Sequence, residues 1–197
     1  GKQSMLPISM NFVCPKIQRH RNPFKGRIVI RGNRVFDEQG YGAIFSEQSS
    51  SGSQAIVANF LDAIARLPGN IGMESDAQSA YTQAPLDERD THVWVILPPH
   101  IIERYFPWKF DFKPVFRLRL ALEGHPRSGH YWEKYSHQKF RECGFEKVPG
   151  YDCLFLHRKK GLFLMSYVDA FKMAGNADNM MPMWLSLIHI SEPTRLL

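Results

Sequence analysis

The sequence has few cysteines and no long apolar run, and both absences narrow the classes of protein that it can encode. Its 197 residues include three cysteines, Cys14, Cys143 and Cys153, and no two of them form a CxxC pair. This spacing argues against a disulfide framework or a zinc cluster and favours a reducing, intracellular compartment. No apolar run approaches the roughly 20 residues that span a bilayer, so we expect no membrane partner. The N-terminal residues also lack the pattern of a signal peptide.

Acidic residues are absent between Lys16 and Arg34, a stretch that we call the basic stripe. The whole chain carries a formal net charge of +6 and has a sequence pI of about 9.3. The basic side chains of the stripe are Lys16, Arg19, Arg21, Lys25, Arg27, Arg31 and Arg34. Such a stripe can neutralise phosphates and release counterions, which favours a nucleic-acid partner. A solvated basic face with no partner has the same composition.

Apolar periodicity predicts a mixture of helices and antiparallel hairpins. An apolar stripe predicts a helix over 54–67, stopped by the Pro-Gly pair that follows, and a second helix is predicted over 128–143. Strands are predicted at 26–32, 71–75, 92–97, 115–120 and 171–174, with a hairpin formed by 151–157 and 161–168. Residues 1–24 contain three prolines and are predicted to be irregular. This order of elements indicates an α+β fold.

Two aspartates, Asp76 and Asp169, each follow an apolar, strand-like approach. A carboxylate at the tip of a buried hairpin is costly to place unless a cation meets it. Two such carboxylates side by side repel each other, and a hard divalent cation relieves the repulsion. In two-metal phosphoryl transfer, one ion activates the attacking oxygen and the other holds the leaving oxygens. The pair is therefore a candidate catalytic and metal site, although aspartate at a turn is also common without any catalytic role.

Four segments resemble copia-type retrotransposon reverse transcriptases in order and spacing. KGRIVIRG (25–32) is similar to the family's KARLVAKG, DAQSAYTQAPLDE (76–88) to DVKSAFLNGDLDE, and ALEGHPRSGHYWEK (121–134) to ALYGLKQSPRAWYEK. The stretch 143–175 resembles the long family segment that leads to Y-V-D-D. The resemblance covers about residues 25–175. It implies an α+β fold of reverse-transcriptase type, with fingers and a palm whose antiparallel sheet packs on helices, and with the thumb missing.

The resemblance also implies roles for individual residues. Asp76 and Asp169 are the expected catalytic ligands of two Mg²⁺ (or Mn²⁺) ions. Tyr81 is the expected aromatic gate, whose ring would clash with a ribose 2′-hydroxyl and so favour deoxynucleotides. Ser79 and Ala80 would meet the triphosphate through backbone N–H groups. The full set expected at the incoming nucleotide is Lys25, Arg27, Ser79, Ala80, Tyr81 and Arg127, and the set expected at the active-site hairpin beside the primer is Tyr167, Val168 and Ala170.

The chain departs from the family pattern at residues that are expected to bind the metal ions and the nucleotide. The family motif Y-V-D-D has two adjacent aspartates, and the second is Ala170 here. Alanine offers no oxygen to a cation, so the site loses one negative charge. In the block at 121–134, Glu123 replaces the family's aromatic residue, Pro126-Arg127 replaces Lys-Gln, and Gly129-His130 replaces Pro-Arg. We therefore expect a degenerate enzyme with negligible polymerase activity.

The two ends of the chain are interpreted separately from its middle. LSLIHISEPTR (185–195) resembles the conceptual translation of a sequencing-library adapter, so we expect 185–197 to be a non-native tail. The reverse transcriptase fragment then comprises 25–184, and the lack of an initiator Met fits a fragment. The resemblance implies an RNA or DNA template-primer and deoxynucleoside triphosphates as partners, and contacts with other Pol domains that truncation has removed. It also implies a cytoplasmic, virus-like-particle location.

Two other interpretations of the sequence stay open. A non-catalytic nucleic-acid-binding domain would use the basic stripe together with aromatic rings for base stacking. The rings considered for this role are Trp94, Trp108 and Trp132. Such binding should survive Asp76→Ala, whereas magnesium-dependent nucleotide binding should not. A different metal-dependent phosphoryl-transfer enzyme, such as a nuclease, explains the two aspartates but not Tyr81.

Overall fold

Helices and antiparallel strands are interspersed along the chain, which confirms the expected α+β class. The computed structural model describes residues 3–7, 29–30, 35–36, 53–86, 92–106, 108 and 110–191. The helices are α1 (Ser53–Ala65), α2 (Pro99–Tyr105), α3 (Ser128–Glu142) and α4 (Ala177–Ser191). The strands are β1 (Gln3–Pro7), β2 (Asn70–Asp76), β3 (His92–Ile96), β4 (Phe116–Arg117), β5 (Glu146–Lys147), β6 (Leu154–His157), β7 (Leu162–Tyr167) and β8 (Ala170–Asn176). Within these ranges, no helix is both long and apolar enough to cross a membrane.

The chain divides into two units. The first unit contains residues 1–47 and 85–131, and the second contains residues 48–84 and 132–197. In the second unit, five antiparallel strands form one sheet in the order β2-β8-β7-β6-β5. The strands β5 to β8 follow one another as a meander, which confirms the predicted hairpin. Strand β2 comes from much earlier in the sequence and pairs with β8 at one end of the order.

Helix α1 covers one face of the second unit's sheet. Val57 and Leu61, one turn apart on α1, pack with Leu154 and Ala174 of the sheet, and all four side chains are buried. The i, i+4 spacing of the two helical residues is the apolar stripe that predicted the helix. The helix is therefore confirmed, although it ends at Ala65, just before the Pro-Gly pair.

Aromatic side chains of α3 pack against the opposite face of the same sheet. The Phe140 ring lies edge-on to Phe155 of β6 and Phe171 of β8, with centroid distances of 5.0 and 5.6 Å. Leu164 of β7 and Met173 of β8 are paired across the two strands, and both side chains are fully buried. Because both faces of this sheet are covered, its central strands β6 and β7 contain continuous apolar runs.

Helix α4 follows β8 directly and was not predicted from the sequence. Its start is capped by Asn176, whose side-chain oxygen accepts a hydrogen bond of 3.2 Å from the Asn179 backbone N–H. Met180, Met183 and Trp184 are buried. The helix continues to Ser191, so the first residues of the adapter-like tail are helical, and Leu187 among them is buried.

The first unit contains a three-stranded sheet in the order β1-β3-β4. The prediction that residues 1–24 are irregular is wrong at Gln3–Pro7, because this segment pairs in parallel with β3. Pro7 lies in a strand at the edge of this sheet, where the missing N–H is tolerated. The strand predicted at 115–120 is shorter than expected: β4 spans Phe116–Arg117, and Leu120 forms an isolated bridge with Pro85.

Two of the segments that carry the family resemblance meet inside the first unit. The backbone N–H of Ile30 donates a hydrogen bond of 2.8 Å to the carbonyl oxygen of Glu123. At the next residue, Gly124 has a φ of +87°, and a Cβ there would lie 2.1 Å from the Ile30 carbonyl oxygen. Only glycine fits this approach. Of the strand predicted at 26–32, residues 29–30 alone belong to the described part of the chain.

A histidine on α3 is held in its neutral form by the core of the second unit. The His137 ring lies edge-on to Phe155 at a centroid distance of 4.7 Å, and its side chain is 13% exposed. Burial lowers the pKa of His137 to about 4, and the positive charges of Lys147 and Arg141 act in the same direction. Protonation of this ring therefore opposes folding.

We expect the second unit to lose stability as the pH falls from about 6.5 towards 4. In this window the unfolded chain binds more protons than the folded chain, because the folded pKa of His137 lies below its ordinary value of 6.5. The contribution of this group to the free energy of unfolding should fall by about 1–2 kcal/mol between pH 7 and pH 4.5. Urea denaturation at several pH values measures it.

His137→Phe should flatten this pH dependence, since phenylalanine fits the aromatic surroundings and does not titrate. His100→Phe is the matched control, because His100 is exposed on α2. An unchanged slope in the His137 variant would show that the acid sensitivity has another origin.

Candidate metal and nucleotide site

The pairing of β2 with β8 brings the two predicted aspartates next to each other. Asp76 is the last residue of β2 and lies opposite Ala170, the first residue of β8. Asp169 immediately precedes Ala170. Its carbonyl oxygen accepts a hydrogen bond of 2.7 Å from the backbone N–H of Ala77, the residue that follows Asp76. The two aspartates are 93 positions apart in the sequence (169 − 76). In the fold they lie on either side of the same pairing between β2 and β8.

The side chains of Asp76 and Asp169 are both exposed. In the described part of the chain, no ion pair joins either carboxylate to a basic side chain. Lys172, on the same face of β8 as Ala170, is engaged elsewhere: its Nζ lies 2.7 Å from Asp62 Oδ1 and 3.0 Å from Glu74 Oε1. The hydrogen bond with Asp62 raises the pKa of Lys172, and the hydrogen bond with Glu74 raises it further. Two solvated carboxylates therefore remain open to a ligand from solution.

The predicted active-site hairpin is a two-residue turn between β7 and β8. Tyr167 and Ala170 are the paired residues on either side of it, and Val168 and Asp169 form its tip. Val168 has a φ of +51°, which is the left-handed region that β-branched residues avoid. The indole Nε1–H of Trp132 on α3 donates a hydrogen bond to the Val168 carbonyl oxygen. The tip is thus tied to a helix as well as to the sheet.

The predicted nucleotide-contacting segment after Asp76 is a short 3-10 helix. It spans Ala80–Gln83, and the residue before it, Ser79, is left-handed with a φ of +53°. The backbone N–H and the side-chain hydroxyl of Thr82 both donate to the Ser79 carbonyl oxygen, at 3.0 and 2.9 Å. Ala80 is buried, and Tyr81 is half-buried. Both residues belong to the second unit with the two aspartates.

Three predicted nucleotide contacts belong to the first unit. Lys25 and Arg27 lie outside the described residues, as do all the basic side chains of the basic stripe. Arg127 is described: its guanidinium lies over the Tyr131 ring at 5.5 Å, and its backbone N–H donates to Nδ1 of His125. Burial lowers the pKa of His125 to about 4, and the charge of Arg127 adds to the effect.

The tryptophans proposed for base stacking differ in exposure. Trp108 is 59% exposed and Trp94 is half-buried. Trp132 is 3% exposed, so its assignment as a stacking residue is wrong. The hydrogen bond between the Trp132 indole and the hairpin was not predicted from the sequence. It could have been suspected, because a buried tryptophan on a helix needs an acceptor for its N–H.

A small cavity lies beside Asp76, on the α3 side of the sheet. Its volume is about 30 Å³, and its lining includes Trp132, Phe171 and Trp184. A space of this size holds on the order of two water molecules, not a nucleotide.

The ligands available for a metal at this site are few. Among the described residues, no group of three or more histidine, cysteine, aspartate or glutamate side chains converges on one point. Asp76 and Asp169 supply carboxylate oxygens, the ligands that Mg²⁺ prefers, and position 170 supplies none. A hard cation at this pair would have to take its remaining ligands from water or from a phosphate.

No protein-family model matches the chain, and no curated protein matches it significantly. The functional argument therefore rests on the sequence motifs and on the geometry of this site.

Replacing Val168 by glycine should stabilise the chain. Glycine adopts a φ of +51° without the cost of about 1–2 kcal/mol that a side chain incurs in the left-handed region. Val168 is 42% exposed, so the packing that is lost offsets only part of this gain. We expect the free energy of unfolding to rise by about 1 kcal/mol, measured by urea denaturation.

Val168→Ala is the matched control, because it removes the branched side chain but keeps a Cβ. It should gain much less stability than Val168→Gly. Equal gains from both variants would mean that backbone strain is not the cause.

Proposed function

We propose that the chain is a fingers-and-palm fragment of a copia-type reverse transcriptase whose catalytic site has lost one carboxylate. The observation that carries this proposal is the cross-strand contact between the end of β2 and the hairpin tip, which joins Asp76 to Asp169. The motifs around both residues match the family in order. In this proposal, the antiparallel sheet of the second unit is the palm, and the first unit with the basic stripe belongs to the fingers.

Asp76 and Asp169 are the residues that would hold Mg²⁺ or Mn²⁺. Two exposed carboxylates without cationic partners among the described residues are suited to a hard divalent ion. When bound, such ions supply Lewis-acid activation of the attacking oxygen and neutralise charge on the leaving phosphate. The protein's own part is to keep the two carboxylates apart from other charges and at one fixed spacing.

Substrate selection would depend on Tyr81. Its ring is half-buried on the 3-10 helix that follows Asp76, so it is held close to the same strand end. A bulky ring at this place favours a deoxyribose over a ribose by exclusion. Template-primer and deoxynucleoside triphosphates are therefore the proposed partners.

Ala170 reduces the catalytic capacity of the site. Its position opposite Asp76 means that the family's aspartate would place a second carboxylate directly across the strands, where Cβ atoms lie about 5 Å apart. Loss of one metal ligand raises the reaction barrier by several kcal/mol, which corresponds to a rate loss on the order of a thousandfold. Processive extension of a primer on an RNA template by the unmodified chain would contradict this loss.

Magnesium-dependent binding of a deoxynucleoside triphosphate tests the proposed site. Asp76→Ala should weaken that binding by at least about tenfold, because one of two carboxylate ligands is removed. Titration calorimetry with a deoxynucleotide, in magnesium and in EDTA, measures it.

Glu74→Ala is the matched control for this experiment. Glu74 lies two residues earlier on the same strand and face, but its carboxylate is paired with Lys172. This variant should bind nucleotide as the unmodified chain does. The proposed function is wrong if magnesium has no effect on nucleotide binding, or if both variants lose it equally.

Ala170→Asp should make the stability of the chain depend on divalent ions. In EDTA, a carboxylate opposite Asp76 repels it, which should cost up to about 1 kcal/mol. In magnesium, the same pair binds the ion more tightly, so the midpoint of thermal unfolding should rise with magnesium concentration. Thermal unfolding with and without magnesium measures both effects.

Ala170→Asn controls for shape, since asparagine has nearly the same size and no charge. It should respond to magnesium no more than the unmodified chain does. An Asp variant that behaves like the Asn variant would contradict the metal site.

A non-catalytic nucleic-acid-binding domain is the second candidate function. The observation that favours it is the aromatic segment after α2 in the first unit, where Trp108 and Phe112 are exposed and both contact Phe110. Exposed rings on a basic chain can stack with bases. Binding of single-stranded RNA that survives Asp76→Ala and is lost in Trp108→Ala would support this function over the first.

A further inference from the structure

The tip of the hairpin between β7 and β8 is held by two different elements. The Asp169 carbonyl oxygen accepts a hydrogen bond of 2.7 Å from Ala77, just after β2. The carbonyl oxygen of the preceding residue, Val168, accepts a hydrogen bond from the indole of Trp132 on α3. Two successive carbonyl groups of one turn are therefore fixed from the sheet and from a helix. Both contacts lie within the second unit.

The turn needs this support because its conformation is unfavourable by itself. Val168 is left-handed, and a β-branched residue in that region persists only where the surroundings determine it. The side chain of Val168 is 42% exposed, so its own packing contributes little to holding the turn. A hydrogen bond to its carbonyl group directly opposes rotation of the strained peptide.

We propose that Trp132 is a positioning residue whose indole N–H holds the Val168–Asp169 turn, and with it the Asp169 carboxylate, in place. The role of Asp169 as a metal ligand rests on the proposed function. The role of Trp132 in fixing the turn is independent of that function. Trp132 touches neither substrate nor metal in this proposal and acts only through the backbone of the turn.

A plain packing role for Trp132 is the competing explanation. Its ring contacts Tyr135 and Phe171, with centroid distances of 6.0 and 6.3 Å. Trp184 on α4 offers an internal comparison, since it is 4% exposed and also lies in the core of the second unit. Among the described residues, however, the Nε1 of Trp184 has no acceptor. Burial alone therefore does not produce the hydrogen bond that Trp132 makes.

Hydrogen exchange of the backbone amides tests the proposal on the whole chain. Trp132→Phe keeps an aromatic ring but removes the donor. We expect the amides of residues 168–170 to exchange about tenfold faster, the size of effect that one hydrogen bond of ordinary net strength produces. Amides of β6, away from the turn, should exchange at an unchanged rate. Trp184→Phe is the matched control and should leave residues 168–170 unchanged.

Relief of the strain should remove the need for the hydrogen bond. In a Val168→Gly background, Trp132→Phe should accelerate exchange at the turn by less than about twofold. A simple packing role would not be rescued by a change at residue 168. The proposal is wrong if the turn is unaffected by Trp132→Phe, if Trp184→Phe has the same effect, or if the glycine background gives no rescue.

Two further measurements separate this proposal from the proposed function. The scalar coupling across the hydrogen bond, between Trp132 Nε1 and the Val168 carbonyl carbon, can be measured in the unmodified chain, and its absence would also overturn the proposal. Manganese binding, followed by electron paramagnetic resonance, should weaken several-fold in Trp132→Phe and recover in the double variant with Val168→Gly. If Trp132→Phe loosens the turn but neither the unmodified chain nor any variant binds manganese, the metal site is rejected and the positioning role of Trp132 is retained.

Discussion

The pairing of β2 with β8 is the interaction on which the rest of the site depends. Almost half of the chain lies between the two strands, and their register decides which residues become neighbours at the strand ends. A shift of one residue would move Asp76 to the other face of the sheet and away from the hairpin tip. The register is specified by the packing of both faces, since α1 lies on one and the aromatic cluster of α3 on the other. The positions of the carboxylates are thus set by the hydrophobic core.

The same geometry separates the charge of the site from the backbone conformation of the hairpin. The residue at position 170 affects the charge of the site but not its backbone, because alanine pairs with Asp76 as any residue in β8 would. Val168 and Trp132 affect the backbone of the turn. Val168 has a strained conformation, and the hydrogen bond from Trp132 is proposed to hold it. The shape of the turn therefore does not depend on a carboxylate at position 170. This is why a folded hairpin carries no guarantee of catalysis.

Much of the second unit could be predicted from the sequence, because its signals are local. The apolar stripe of α1, the turn signal between β6 and β7, and the acidic residues at strand ends each depend on a few neighbouring residues. Strand β1 could not be predicted, because its parallel pairing with β3 depends on distant residues and its own segment has no clear alternation. Trp132 was misassigned for a related reason: composition shows that an indole is present, but only the fold shows whether its N–H faces solvent or a carbonyl group. Helix α4 was missed because its sequence was interpreted as foreign in part, although the cap at Asn176 was visible.

The end position of β2 in its sheet has a consequence for how the isolated chain behaves in solution. A terminal strand offers its outer backbone groups to any other strand, and such edges promote association between molecules. Here the strand ends in the exposed Asp76, and a charge at this position discourages a second copy from adding on. Asp76, one of the two residues proposed as metal ligands, would then also act as a solubilising group at this edge. Neutralising it, by mutation or by a tightly bound cation, would favour association between molecules.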